Sequence, residues 1–408
     1  MRKMQEVNEM AATKFKIDTS LINRTIDIKK NIETLGDDLT FVGVREFQRT
    51  KHVHRLHPYL GKFIPQLVEV FLKNFFEEGD TIIDPFSGSG TTLIEANVLG
   101  INSIGIELSP FNALIQKVKV GEYNMPEIER EVKDALKRLS AFSKTINNKT
   151  LLEKEKKLTT NSTYLKDWYS DRALKEILFY NSILTEYKNK DVLKIILSRA
   201  TRSARLITHY DLARPKKPVR EVYWCIKHKR YCGPTTEAYK FIERYSLDTI
   251  NRLSEFNKIR TKAYMKVVEG DSRLTKLPKD LKADGIFTSP PYVGVIDYHE
   301  QHKYAYELFD FPRQDSLEIG PAKMGAGAVA KGNYAAGIEK VFKNMDKYLK
   351  DDAKIFVVAN DKFNLYPDIG KACGYELVDV FERPVLMRTE RTGKTYFESI
   401  FYFKKRRG

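Results

Sequence analysis

Cysteine is scarce in this 408-residue chain: Cys225, Cys232 and Cys373 are the only three. So few thiols exclude a disulfide framework and suit a reducing compartment. No run of about 18 apolar residues occurs, so no membrane span is expected. The opening stretch, MRKMQEVNEMAATKFKID, lacks the apolar core and small-residue cleavage site of a secretory signal. Acidic residues are outnumbered, 54 against 70 Lys and Arg, leaving a formal net charge of +16. That surplus suits a polyanionic partner, because cations placed on phosphates release condensed counterions. An enzyme that is merely basic fits the charge equally well.

What is present falls into three zones. Residues 1–50 are polar and without a strong period, and read as a partly ordered N-terminal arm. From Phe63 to Phe76 the apolar residues Phe63, Leu67, Val70, Phe71 and Phe75 follow a helical spacing. The segment EEGDTIIDPFSGSGTTLIEANVLGINSIGIELSP then reads as strand (Thr81 to Asp84), glycine turn, helix from about Thr91, and strand ending at Glu107. This is the opening β-α-β of a doubly wound α/β sheet. Glycine thins out between 121 and about 260, where helical periodicity prevails, and this region reads as a mostly helical insertion. Strands resume at Lys266–Glu269, Gly285–Ser289 and Lys354–Ala359, and a final pair near Glu376–Phe381 and Phe397–Phe403 forms a hairpin. The Gly/Ala-rich stretch 319–337 is expected to be a mobile loop. The expected domain plan is thus an arm at 1–50, a sheet domain at 51–120 and 261–408, and the insertion at 121–260.

Two segments carry chemistry. In Asp84-Pro-Phe-Ser-Gly-Ser-Gly-Thr-Thr92, Gly88 and Gly90 allow a tight turn and close approach of backbone to ligand. No G-K-[ST] follows, which disfavours a P-loop. Glu107 ends the next strand 23 positions after Asp84, where a carboxylate can accept both hydroxyls of a ribose. A tight βα turn with an incidental Glu is the plainer reading. The second segment, Thr288-Ser-Pro-Pro-Tyr292, follows the strand DGIFTS. Its prolines fix φ and remove two backbone donors, so the carbonyls of Ser289 and Pro290 are expected to face outward. Two acceptors beside the Tyr292 ring are what an exocyclic NH₂ on a flipped base needs. A Pro-Pro loop capping a strand is the plainer reading of this segment.

DPFSGSGTT and SPPY together resemble the DNA amino-methyltransferases, whose catalytic signature is (D/N/S)PP(Y/F). The likeness extends to His57-Pro-Tyr-Leu-Gly-Lys-Phe63 and to VVEGDSR, which holds Asp271, and spans about 55–110 and 265–400. It implies a Rossmann-like class I fold and S-adenosylmethionine as the methyl donor. It further implies that Asp84, Phe86, Gly88, Gly90, Thr91 and Thr92 surround the methionine part of the donor, with Lys62 and Phe63 closing over it. Glu107 would hold the ribose and Asp271 the adenine amino group. Ser289, Pro290, Pro291 and Tyr292 would orient the target amine, and serine at the first motif position is associated in this family with N4 of cytosine. Double-stranded DNA is the implied partner, a cognate restriction endonuclease a candidate one, and a prokaryotic cytoplasm the implied location. The insertion departs from a familiar recognition position, so which segment reads DNA is open.

Three rivals stand beside this reading: N6 of adenine on the same fold, an RNA or protein-glutamine substrate, and a non-catalytic nucleic-acid-binding module. A carbon-5 cytosine enzyme is excluded, because no cysteine here follows a proline. Cys225-x2-His228-x3-Cys232 offers three metal ligands, with His209 the candidate fourth. It is read as two reduced cysteines in a basic loop, and no metal is expected. His299 and His302 could share one face of a helix and shape the base pocket. The cation-aromatic stretch 199–231 and the hairpin loop 383–395 are the expected DNA contacts.

Overall fold

The computed structural model describes residues 39, 41, 44–59, 61, 63–146, 158–211, 215–385 and 396–406. The strands are β1 (Thr81–Asp84), β2 (Asn102–Glu107), β3 (Tyr223–Cys225), β4 (Arg230–Cys232), β5 (Met265–Glu269), β6 (Ala283–Thr288), β7 (Leu349–Ala359), β8 (Tyr375–Val385) and β9 (Tyr396–Lys405). Seven of them form one sheet in the order β5-β2-β1-β6-β7-β9-β8, while β3 and β4 make a separate ribbon. Neighbours pair in parallel from β5 across to β7. Strand β9 runs antiparallel between β7 and β8. This is the expected Rossmann-like α/β sheet.

Period-two alternation sorts its side chains between two cores. Ile82, Phe287, Phe356, Val358, Ile400 and Tyr402 face one side, where α2 (Pro65–Phe75) packs Phe71 and Phe75 among them. Ile83, Ile286, Ile355, Val357, Phe401 and Phe403 face the other. There they meet α12 (Ala328–Asp346) and α13 (Tyr366–Ala372) through Val341, Phe342 and Ile369. Leu39 and Phe41, at the end of the expected arm, are buried in the first core.

The remaining helices are α1 (Glu46–Arg49), α3 (Thr91–Val98), α4 (Pro110–Val120), α5 (Met125–Thr145), α6 (Thr163–Trp168), α7 (Asp171–Ile183), α8 (Lys190–Ala204), α9 (Tyr239–Asn257), α10 (Tyr298–Gln301) and α11 (Lys303–Phe309). Helices α5 to α9 fall inside the segment read as helical. Asn124, Ser162 and Ser170 cap α5, α6 and α7 by accepting from the third backbone N–H beyond each. Their apolar stripes join Phe111, Leu114, Ile115 and Val118 of α4 in a third core. Fully buried Glu176 on α7 accepts from the Ala238 and Tyr239 N–H groups, tying α7 to the start of α9.

One expectation fails. The stretch 319–337 is not a loop throughout, because α12 begins at Ala328 and contains Gly332 and Gly337. Tyr334, Gly337, Ile338, Val341 and Phe342 are buried along it. That apolar stripe outweighs the cost of helical glycine, about 1 kcal/mol each.

Candidate active site

The chain leaves β1 toward β2 and β5 on one side of the sheet, and later returns as β6 on the other. The carboxyl ends of β1 and β6 therefore flank the topological switch point, where open α/β sheets bind ligands. Asp84 ends β1 and Thr288 ends β6, and the Thr288 hydroxyl donates to Asp84 Oδ1 at 2.6 Å. The two sequence motifs meet at this bond.

Gly88 and Gly90 in the turn after β1 have φ of +50° and +79°, the left-handed region open to glycine. Helix α4 holds the turn from behind. Gln116 Nε2 donates to the Gly88 carbonyl at 2.8 Å, and the buried Lys119 ammonium donates to the Ser89 carbonyl at 2.6 Å. Neither Gln116 nor Lys119 belongs to a motif, so sequence reading missed them. Ser109 caps α4 by accepting from Asn112 N–H, and its hydroxyl also bonds the Tyr306 hydroxyl at 2.7 Å. Glu107 Oε1 accepts from Ser109 N–H at 2.8 Å and from Asn112 Nδ2 at 3.3 Å.

A cavity of about 860 Å³, open mouth included, lies here. Of the residues singled out in the sequence, Phe63, Asp84, Phe86, Gly88, Thr91, Glu107, Asp271, Ser289 and Pro291 line it. Gly90 and Thr92 lie beneath the lining: Gly90 abuts Gln116, and Thr92 is fully buried. Tyr292 also lies off the lining. Its hydroxyl donates to Glu398 Oε1 at 2.8 Å, and Arg383 donates to Glu398 Oε2 at 2.8 and 2.5 Å. Pro290 is absent from the lining as well. Lys62 lies outside the described residues. Asp271 reaches the cavity with both carboxylate oxygens already accepting from the Arg273 guanidinium.

His299, expected to help shape the base pocket, lies in the wall, and so do Tyr59, Tyr298, Glu318 and Ser272, to which the sequence assigned no role. Tyr59 lies within 3.0 Å of where a Cβ on Gly88 would sit, so glycine there lets the ring pack onto the turn. Glu318 accepts from the His299 backbone N–H at 3.1 Å and pairs with His299 Nδ1. The Gln314 N–H donates to His299 Nε2 at 3.2 Å, which places the imidazole proton on Nδ1, toward Glu318. His302 turns elsewhere, packing beside His57 and Tyr59. The chain breaks between α10 and α11 at His302, so the two histidines do not share a helix face.

Four carboxylates (Asp84, Glu107, Asp271 and Glu318) line this cavity in a chain of net charge +16. No Lys or Arg is among the described residues that line it. Burial pushes the Asp84 carboxyl up to about 6, against the hydrogen bonds it accepts from Thr288, Thr92 and Phe86. Burial likewise pushes Glu107 up to about 7. Such a wall favours a cationic ligand, whose charge would draw both groups back to carboxylates. The lining fits a nucleoside with a sulfonium and an ammonium: a carboxylate for ribose, glycine turns for close approach, and aromatic rings in the wall.

The basic stretch 199–231 is divided by the structure. Arg199 is buried on Asp248 at 2.6 Å and lies over the Tyr245 ring, and buried Arg205 lies over Tyr304. These cations hold the interior together. Lys216, Lys217, Arg220, Lys227, Lys229 and Arg230 are exposed. Of the hairpin loop 383–395, residues 386–395 lie outside the described residues.

Comparison with known proteins is consistent with the geometry. A DNA methylase family model matches residues 6–118, and an RMKL-like methyltransferase domain model matches 74–189. The chain is 42% identical to the type II methyltransferase M.MjaII of Methanocaldococcus jannaschii, over 90% of this chain and 83% of that one. It is 26% identical to type II methyltransferase M.BsoBI of Geobacillus stearothermophilus, covering 64% of this chain and 53% of the relative. With M.MvaI of Kocuria varians it shares 21% over 72% and 65% of the two lengths. A likeness of 42% across nine-tenths of the chain, on a sheet that brings DPFSGSGTT and SPPY to one cavity, places this protein in the DNA amino-methyltransferase family, whose methyl donor is S-adenosylmethionine.

Proposed function

We propose that the chain transfers a methyl group to N4 of cytosine in double-stranded DNA. In this proposal Ser289, Pro290, Pro291 and Tyr292 present the amine, Phe63, Asp84, Phe86, Gly88, Thr91, Glu107 and Asp271 form the donor site with Lys62, and Gly90 and Thr92 shape the turn from beneath. The observation that carries it is the shared cavity. Ser289 and Pro291, from the end of β6, face the same space as Gly88 and Glu107 from the β1 side. A base entering along SPPY would meet the donor there.

When bound, S-adenosylmethionine supplies a methyl group on a positively charged sulfur, open to attack by an amine. The Ser289 and Pro290 carbonyls would accept hydrogen bonds from the two amine N–H groups and turn the nitrogen lone pair out of conjugation, and the surplus proton of the methylated amine would pass to solvent. As the amine gains positive charge, the same acceptor dipoles stabilise it. Alignment and exclusion of water would supply most of the acceleration, so no strong base is needed. The Tyr292 ring, anchored through Glu398, would stack on the flipped base. Serine at position 289 supports cytosine over adenine through the family resemblance. The insertion 121–260 would grip the duplex through its exposed cations.

The test is transfer of isotope-labelled methyl from S-adenosylmethionine into duplex oligonucleotides of varied sequence, followed by digestion to nucleosides. Label in N4-methylcytosine supports the proposal. Label in N6-methyladenine keeps the site and overturns the base. Transfer to RNA alone overturns the substrate.

A further inference from the structure

Four potential metal ligands outside the catalytic cavity converge at the β3–β4 ribbon. Cys225 Sγ lies 3.7 Å from His209 Nδ1 and 3.6 Å from His228 Nδ1, and Cys232 Sγ lies 3.5 Å from His228 Nδ1. All four ligand atoms fall within 4.8 Å of one another. A tetrahedral zinc centre, with Zn–S near 2.3 Å and Zn–N near 2.1 Å, sets sulfur and nitrogen about 3.6 Å apart. These three sulfur–nitrogen separations match that figure.

Local structure aims the ligands. Cys225 pairs with Arg230 and Cys232 with Tyr223 across the ribbon, so both thiols share the inner face while Trp224 and Tyr231 share the outer one. Those two rings are 53% and 72% exposed. The turn closes as the Lys229 N–H donates to the Cys225 carbonyl at 2.7 Å, with Lys229 at φ +51°. This brings His228 over both sulfurs. The fourth ligand arrives from the segment after α8, where the His209 N–H donates to the Tyr223 hydroxyl at 2.9 Å.

The ribbon also needs something to hold it. Each strand has three residues, and a lone two-stranded hairpin is marginal in water even when longer. Val222, Trp224, Ile226 and Tyr231 are all exposed, while the buried side chains are the two cysteines. We propose that His209, Cys225, His228 and Cys232 bind one structural Zn²⁺ that fixes the ribbon to the segment following α8. A closed set of four N and S ligands, with no open position, is the structural rather than the catalytic form of such sites. The sequence showed three of these ligands close together and the fourth 16 positions away, and only the fold brings the fourth in.

The experiment uses the full-length protein expressed in zinc-supplemented medium and freed of loose metal by desalting. Elemental analysis is expected to find roughly one zinc per chain, released stoichiometrically when a mercurial reagent blocks the thiols. After removal of zinc, added Co²⁺ is expected to give thiolate-to-cobalt charge transfer and the absorption of a tetrahedral centre. Cys225→Ser and Cys232→Ser should each abolish that spectrum, whereas Cys373→Ser should leave it intact. Should either variant fail to fold, the wild-type chain alone decides the matter. A wild type with neither zinc nor a cobalt spectrum overturns the proposal, and so does zinc retained by a folded Cys225→Ser, Cys232→Ser double variant.

Discussion

Glu107 offers the sharpest test of how the cavity treats its donor. Burial raises its carboxyl to about 7 and that of Asp84 to about 6 in the free protein. In its proposed role Glu107 accepts ribose hydroxyls as a carboxylate, so a protonated Glu107 must lose its proton before binding. Protonation then weakens the apparent affinity as pH falls, whereas an acid favouring binding would do the reverse. With a group at about 7, the weakening is about 11-fold at pH 6 and about 1.1-fold at pH 8, a tenfold difference or about 1.4 kcal/mol. Asp84, at about 6, adds roughly another twofold over the same range. Affinity for S-adenosylmethionine should therefore fall roughly 20-fold from pH 8 to pH 6. Calorimetric titration at pH 6, 7 and 8, in buffers of different ionisation enthalpy, would record it together with proton release. Glu107→Gln should weaken binding roughly 10- to 100-fold at pH 8, one charged hydrogen bond being worth about 1.5–3 kcal/mol. It should also flatten the profile to the twofold left by Asp84, and titration of the ligand itself divides out between the two proteins. A wild-type profile as flat as that of Glu107→Gln would refute the reasoning.

Gly88→Ala places a methyl 3.0 Å from the Tyr59 hydroxyl at φ +50°. The conformation alone costs about 1–2 kcal/mol, so donor affinity should drop about tenfold or more, and unchanged affinity in titration would contradict the turn's role. Phe356→Ala empties a fully buried site where Tyr402 and Phe75 lie 4.6 Å away. Denaturant unfolding should show a loss of about 3–5 kcal/mol, and a loss under about 1 kcal/mol would mean that the core closes over the gap. Tyr292→Ala should lower kcat/KM for DNA roughly 10- to 100-fold, stacking on a base being worth about 1–3 kcal/mol. Donor affinity should stay within about twofold, and Tyr292→Phe should keep most of the activity because the ring remains. Trp224→Ala combined with Tyr231→Ala should weaken duplex binding roughly tenfold in a salt-controlled anisotropy assay while sparing donor binding, and equal DNA affinity would remove the ribbon from the interface.

Much of the sheet was legible because local signals and tertiary demands agree. TIID and GIFT are short apolar runs that fill both faces at the centre of a parallel sheet, and the glycines between β1 and α3 mark a turn that only left-handed residues make. The Gly/Ala stretch misled because glycine's local preference points to a loop, whereas the apolar stripe from Tyr334 to Phe342 is satisfied only by packing on the sheet. At the site, the two motifs announce themselves, but the groups that brace them do not. Gln116 and Lys119 act on carbonyls 28 and 30 residues away, and Glu318 meets His299 across 19 residues. No spacing rule encodes such contacts, since they depend on how α4 and the segment before α12 lie over the sheet. The cations of 199–231 looked alike in sequence, yet burial separates the structural Arg199 and Arg205 from the exposed Lys227 and Arg230.

The most direct test of the proposed activity is nucleoside mass spectrometry of plasmid DNA from cells expressing this chain, beside cells expressing the Ser289→Ala, Tyr292→Ala variant. N4-methylcytosine in the first sample and none in the second is the expected result. N6-methyladenine in its place would contradict the assignment of the base, and unmodified DNA from cells holding folded, donor-binding protein would contradict DNA methylation itself.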